Sequence, residues 1–201
     1  MWKPARLSMW LNDTYGDCVT AEEAFARACH LPEIFVPDAE VLAWATANGD
    51  LNGAELTAVL DQMATSGFQV GAQRFGAGPA TAVDWTHAAL LQNAIAQGPV
   101  KIGVASAQLQ NAAPESDTLP NGWFCSGFSA DSNEDHCVSL CGYGTLAWLA
   151  AQLGVSVPAG TNDGAPGYGL FTWGSIAIID QPSMLAITGE AWLRNPTTVI
   201  K

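Results

Sequence analysis

Apolar residues recur at helical spacing through the first half of the chain and alternate in strand fashion through the second. A first helix is predicted from Asp17 or Cys18 to Cys29. Val19, Ala26 and Cys29 form its apolar side, Glu22, Glu23 and Arg27 its polar side, and the acidic pair reads as a complement to the helix dipole. A second follows Pro37-Asp38 from Ala39 to Ala47 and stops at Asn48-Gly49. A third follows Asn52-Gly53, carries Leu56, Val59, Leu60 and Met63 on one face, and stops at Ser66-Gly67. A fourth is expected near Asp84, covering Trp85 to Gln97 up to Gly98-Pro99. The period then changes. Val100–Val104, Cys137–Cys141, Tyr168–Trp173 and Ile176–Ile179 read as strands, and Leu146–Leu153 as a short apolar helix. Stretches 106–135 and 154–167 read as loop-rich. Helices first and strands later indicate an α+β fold.

Composition narrows the function classes. With 201 residues and 49% apolar against 13% charged, the chain fits a single domain, 1–201, with a large core. Its formal charge of -12 arises from 19 acidic and 7 basic residues, and the basic ones form no cluster in sequence. Nucleic acid and anionic membranes are therefore not expected as partners. The segment Met1–Arg6 leads into polar sequence without an apolar leader, which reads as cytoplasmic, with virion association as a second possibility. Five cysteines at irregular spacing do not make a disulfide framework. The three histidines show no metal-ligand spacing, so neither cofactor nor metal is expected.

Two residues carry candidate chemistry. Cys18 follows Tyr15-Gly16-Asp17 at the expected start of a helix, where backbone N–H groups and the dipole favour a thiolate, although Asp17 opposes it unless it serves as a cap. A small buried hydrophobe is the plainer reading of this cysteine. His136 opens an apolar strand and could face a cleft from its mouth, or be a surface or satisfied core histidine.

Together these segments resemble the papain-like cysteine peptidases, in particular compact bacterial and phage proteins without a prodomain. Gly16-Asp17-Cys18 with Asn12 six residues earlier is similar to the family's nucleophile segment, where a Gln supplies the oxyanion-hole amide. Asp135-His136-Cys137-Val138-Ser139-Leu140-Cys141-Gly142-Tyr143-Gly144 resembles its Asp-His-Ala-Val-x-x-x-Gly-Tyr-Gly stretch. Phe171-Thr172-Trp173-Gly174 falls where the family has Asn-Ser-Trp-Gly. The resemblance implies a helical lobe, roughly 1–84, carrying Cys18, and a β-rich lobe, roughly 85–201, carrying His136, with an insertion near 145–167. It implies Cys18 as nucleophile, His136 as base, Asn12 as oxyanion donor and Trp173 as a cover over the histidine.

One position departs from the family. Phe171 stands where the Asn that orients the histidine is expected, and a phenyl ring accepts no normal hydrogen bond from imidazole. Thr172, Asp180 and Asn162-Asp163 are the candidate substitutes. Two readings follow. The first is a thiol peptidase or related amide acyl-transfer enzyme acting on a peptide or protein through a Cys–His dyad. The second is an inactive papain-fold binding or structural protein, for instance a virion or surface-assembly component with a protein partner, to which the apolar insertion could offer a surface. A redox role is less well supported, since no second cysteine lies near Cys18 in sequence.

Overall fold

The computed structural model describes residues 1–200. Three helices come first: α1 (Cys18–Ala28), α2 (Asp38–Asn48) and α3 (Leu56–Thr65). The second half is built on a seven-stranded sheet of order β3-β9-β4-β6-β7-β8-β5. Its strands are β3 (Thr81–Ala82), β4 (Val100–Val104), β5 (Phe124–Cys125), β6 (His136–Thr145), β7 (Pro166–Thr172), β8 (Ser175–Asp180) and β9 (Thr188–Leu193). All neighbours are antiparallel except the two-residue β5, which runs parallel to β8. Four further helices, α4 (Ala88–Gln97), α5 (Ala107–Ala112), α6 (Leu146–Leu153) and α7 (Gln181–Ile187), complete the α+β fold. No helix among the described residues is long and apolar enough to cross a membrane.

Several sequence expectations are corrected. The fourth helix begins at Ala88, because Asp84 accepts hydrogen bonds from Thr86 and closes a turn ahead of it. The stretch read as loop, 106–135, contains α5 and β5. A second sheet of order β1-β2-β10 packs with the helices, formed by β1 (Phe68–Val70), β2 (Gln73–Ala77) and β10 (Thr197–Ile200). These strands are short and partly exposed, which blurs the alternation that marks a strand in sequence. Both chain ends cross between the halves: Trp2 donates its backbone N–H to Cys141 and its indole N–H to the Ile95 carbonyl, and β10 pairs with β2.

The largest correction concerns the polar side of α1. Glu22, Glu23 and Arg27 do not face solvent; all three are buried, and the acids lie beyond the first turn. One Glu23 carboxylate oxygen accepts from Lys101 Nζ on β4 and from Arg194 Nε beyond β9, each at 2.8 Å, while Arg27 approaches the other at 3.6 Å. Three of the seven basic residues, scattered in sequence, thus converge on one carboxylate in space. They hold it ionised, well below the usual carboxylate range despite its burial. Arg194 also donates to the carbonyls of Pro99 and Glu22 and to Ser139 Oγ, and Lys101 donates to the carbonyl of Val19. The cluster pins α1 across the sheet. The helices and the sheet also share an apolar cluster that includes Phe25, Val59, Met63, Phe68, Cys137, Cys141, Phe171 and Ile176. All five cysteines are free.

The insertion helix α6 lays Leu146, Leu149 and Ala150 over Ile178 and leaves Trp148 partly exposed. Its apolar side covers the sheet.

Two stability predictions follow. Replacing Glu23 by Ala strands three buried cations and should cost about 3–5 kcal/mol in urea unfolding; a loss below about 1 kcal/mol would contradict the role given to this residue. Glu22, pushed up by burial from 4.5 to about 8, binds its proton more tightly folded than unfolded. Its contribution is complete below pH 4.5 and is lost as pH rises towards about 8. The thermal midpoint of Glu22→Gln should therefore gain on the wild type between pH 5 and pH 8. Parallel pH profiles would refute this.

Candidate active site

Cys18 is the first residue of α1, so its N–H and that of Val19 belong to the helix turn that has no intrahelical acceptor. The turn is locked from the far side. Gly16 donates its N–H to the Leu51 carbonyl, and its own carbonyl accepts from Gly53 N–H at 2.8 Å. A Cβ on Gly16 would come within 3.2 Å of Gly53 N, so a side chain here would press on the backbone of the facing segment. Residues 53–56 thereby become the wall beside the cysteine.

His136 is the first residue of β6, and its approach is equally fixed. Asp135 donates its N–H to the Val104 carbonyl, and its carboxylate accepts from Ser106 N–H and from Asn133 Nδ2. Cys18 and His136 line one cleft of about 640 Å³, together with Val19, Gly53, Ala54, Glu55, Leu56, Glu134, Asp135 and Glu190. The thiol also meets the backbone N–H of Cys137, the residue that follows the histidine.

Thr172 contacts the imidazole. Its Oγ1 is 2.9 Å from His136 Nε2. Phe171 lies on the opposite side of β7, stacked on Phe25 at 4.0 Å with an interplanar angle of 1° and edge-on to Trp10. Strand alternation explains both: position 171 serves the core between the halves, and position 172 faces the histidine. Of the substitutes considered from sequence, Thr172 is the one in contact. Ser175 Oγ donates to the Thr172 carbonyl and accepts from Trp123 Nε1, so the turn that follows is held as well.

That turn has two residues, Trp173 and Gly174, at φ of 46° and 71°, between the paired Thr172 and Ser175. Both sit in the left-handed region, as in a type I′ hairpin turn. Glycine adopts it freely, whereas tryptophan does so at a cost of order 1–3 kcal/mol. The strained indole stacks on His136 at 5.0 Å and 17°, and Trp123 lies beyond it at 6.4 Å. Sequence reasoning missed Trp123, whose only signal was a short apolar run, Trp123-Phe124-Cys125, within a stretch read as loop.

Asn12 is placed differently from its two partners. It lies half-buried in a turn in which Trp10 and Leu11 have φ of 48° and 70°, fixed by Trp10 Nε1 donating to the Val36 carbonyl. The residues lining the cleft do not include it.

The electrostatics also depart from expectation. Burial pushes the Cys18 thiol up, outweighing the backbone N–H groups of Cys137 and Val19 and the charge of Lys101, with Glu22 acting in the same direction as burial. Burial lowers His136 from 6.5 to about 4, against the opposing charge of Asp135. Thiol and imidazole are therefore both neutral at pH 7. Asp17 does not cap the helix: it is buried, both carboxylate oxygens lack hydrogen-bond partners, and burial raises it to about 7.

No protein-family model matches the sequence, and no curated protein matches it. Solved structures do. The cysteine protease CMS1MS2 of Carica candamarcensis in complex with E-64 superposes with a TM-score of 0.66 at 14% identity, over 96% of this chain and 93% of that one. This is a papain-like fold. The bromelain protease of Ananas comosus in complex with E64 matches with a TM-score of 0.61 at 11% identity, over 95% and 94% of the two chains. The proform of the ragweed pollen cysteine protease Amb a 11 matches with 0.62 at 11% identity; this papain-like chain is covered over 96% and spans 66% of the proform.

The lowered histidine is directly measurable. Titration of the His136 ring protons by NMR should give a midpoint near 4, and Thr172→Val should shift the neutral ring's 15N signals as the tautomer balance changes. A midpoint near the ordinary 6.5 would contradict the burial argument.

Proposed function

We propose that the chain is a thiol peptidase or related amide acyl-transfer enzyme in which Cys18 is the nucleophile, His136 the base and Thr172 the residue that orients the base. The observation that carries this reading is the contact of buried Thr172 Oγ1 with Nε2 of His136, which lines one cleft with Cys18. A hydroxyl that accepts from Nε2–H leaves Nδ1 unprotonated and available to the thiol.

In the reaction, the Cys18 proton passes to His136 Nδ1 as sulfur bonds to the substrate carbonyl carbon, and the C=O electron pair moves onto oxygen. The unpaired N–H groups at the start of α1 are suited to that oxyanion, and Asn12 is the proposed side-chain donor, reached by a shift of its turn. His136 then returns the proton to the leaving amine as the C–N bond breaks, giving a thioester that water or another amine cleaves by the reverse transfers. Because the resting pair is neutral, proton transfer accompanies attack and no stored thiolate–imidazolium pair is required. Trp173 and Trp123 keep water from the outer face of the ring.

A second reading, a papain-fold binding protein without chemistry, is favoured by that same burial, which opposes charge on both groups. Alkylation separates the two readings. At pH 6 iodoacetamide should modify Cys18 roughly tenfold faster in the wild type than in His136→Ala, and equal rates would leave only the second reading. Thr172→Val should remove most of that roughly tenfold advantage, while Thr172→Ser restores it. An unchanged Thr172→Val rate would remove Thr172 from its role.

A further inference from the structure

The walls of the cleft carry charge of one sign. Glu55 stands at the start of α3 on one side; Glu134, in the loop before His136, and Glu190, on β9, stand on the other. No lysine or arginine lines the cleft. Glu134 and Glu190 are in hydrogen-bonding contact with each other, and Glu134 feels the charge of Glu55 from across the cleft. Among the described residues, none of the three takes part in an ion pair.

Backbone built without side chains admits this arrangement. A Cβ at Gly103 on β4 would lie 1.7 Å from Glu134 Oε1, and one at Gly189 would lie 2.1 Å from its Oε2. Two glycines on adjacent strands thus leave the space in which the Glu134 carboxyl lies flat against the sheet. Glu190 is in turn held by the Trp192 indole N–H. Asp135 is different: its carboxylate is occupied by Ser106 and Asn133 and is not free to bind.

Holding two carboxyls in contact without a cation is unfavourable, and burial with Glu190 as neighbour raises Glu134 to about 7. A metal ion is not the fitting occupant, because no group of three or more His, Cys, Asp or Glu among the described residues is spaced to hold one. A carboxyl pair on one wall, with Glu55 on the other, suits a larger cation with several donors, of which guanidinium is the type. The overall charge of -12 would draw such a ligand in.

We propose that the cleft selects a peptide carrying an arginine or lysine side chain beside the reacting bond, recognised by Glu134, Glu190 and Glu55. The position of that bond rests on the reading of Cys18 and His136 as the reacting pair; the charge preference does not.

The test is therefore made by binding. Blocked alanine tetrapeptides with one arginine at successive positions, and their neutral citrulline counterparts, are titrated calorimetrically into full-length Cys18→Ala protein. At least one arginine peptide should bind about tenfold more tightly than its citrulline counterpart, with the advantage falling as salt is raised. Glu134→Gln/Glu190→Gln should abolish the advantage. Glu55→Gln, at an exposed position, should reduce it and serves if the double variant fails to fold. Equal affinities in every register, a preference surviving these substitutions, or no binding by any arginine peptide would overturn the proposal. Failure of the catalytic reading shows separately, as alkylation of Cys18 that is indifferent to His136.

Discussion

The carboxylate of Glu23 is the point on which the molecule turns. It projects from the helix that begins with Cys18, and its cations come from β4 and from the segment after β9. Strand β4 pairs with the strand that begins with His136. The ion cluster therefore sets the position of the Cys18 helix against the sheet that carries His136. Each ion taken alone is costly to bury; three cations on one acid, with carbonyl and hydroxyl acceptors for the surplus donors, offset that cost and fix one geometry. Burial here specifies where the two halves meet more than it adds stability.

The apolar contacts at the same interface explain a departure that would otherwise count against the site. Phe171 fills space between Phe25 and Trp10, so a polar residue there would be buried among rings. The task of meeting the imidazole falls to its neighbour on the other face of the strand. Thr172 can do so because the Trp173-Gly174 turn follows at once and places an indole flat on the ring that the hydroxyl engages. Strain in that turn and order in the histidine are two sides of one arrangement.

Electrostatics divide the molecule into three regions. The interior holds excess positive charge around Glu23. The cleft carries uncompensated acids. Between them, Cys18 and His136 sit where burial keeps each neutral. On the proposed reading, a proton moves between these two groups within a shielded space, and a cationic peptide neutralises the wall without adding charge to the pair itself.

Much of this was legible in the chain. Apolar pattern and flanking Gly or Pro residues placed α1, α2, α3, α6 and strands β4, β6, β7 and β8, the strands being largely apolar runs that the fold buries on both faces. Short motifs around Cys18 and His136 pointed to the papain-like fold that the superposition supports. Sequence also named Thr172 among several candidates, yet could not choose, since which side of β7 faces the histidine depends on register. The short exposed strands β1, β2 and β10 left too little alternation to detect. Glu22, Glu23 and Arg27 looked like a solvated face, because charge at helical spacing carries no mark of the partners waiting on other elements. The same limit hid the acidic cleft: Glu55, Glu134 and Glu190 lie far apart in sequence and meet only across folded walls. Local pattern determined the longer elements and the candidate residue types; tertiary packing alone decided which charges were buried, which were paired and which faced the cleft.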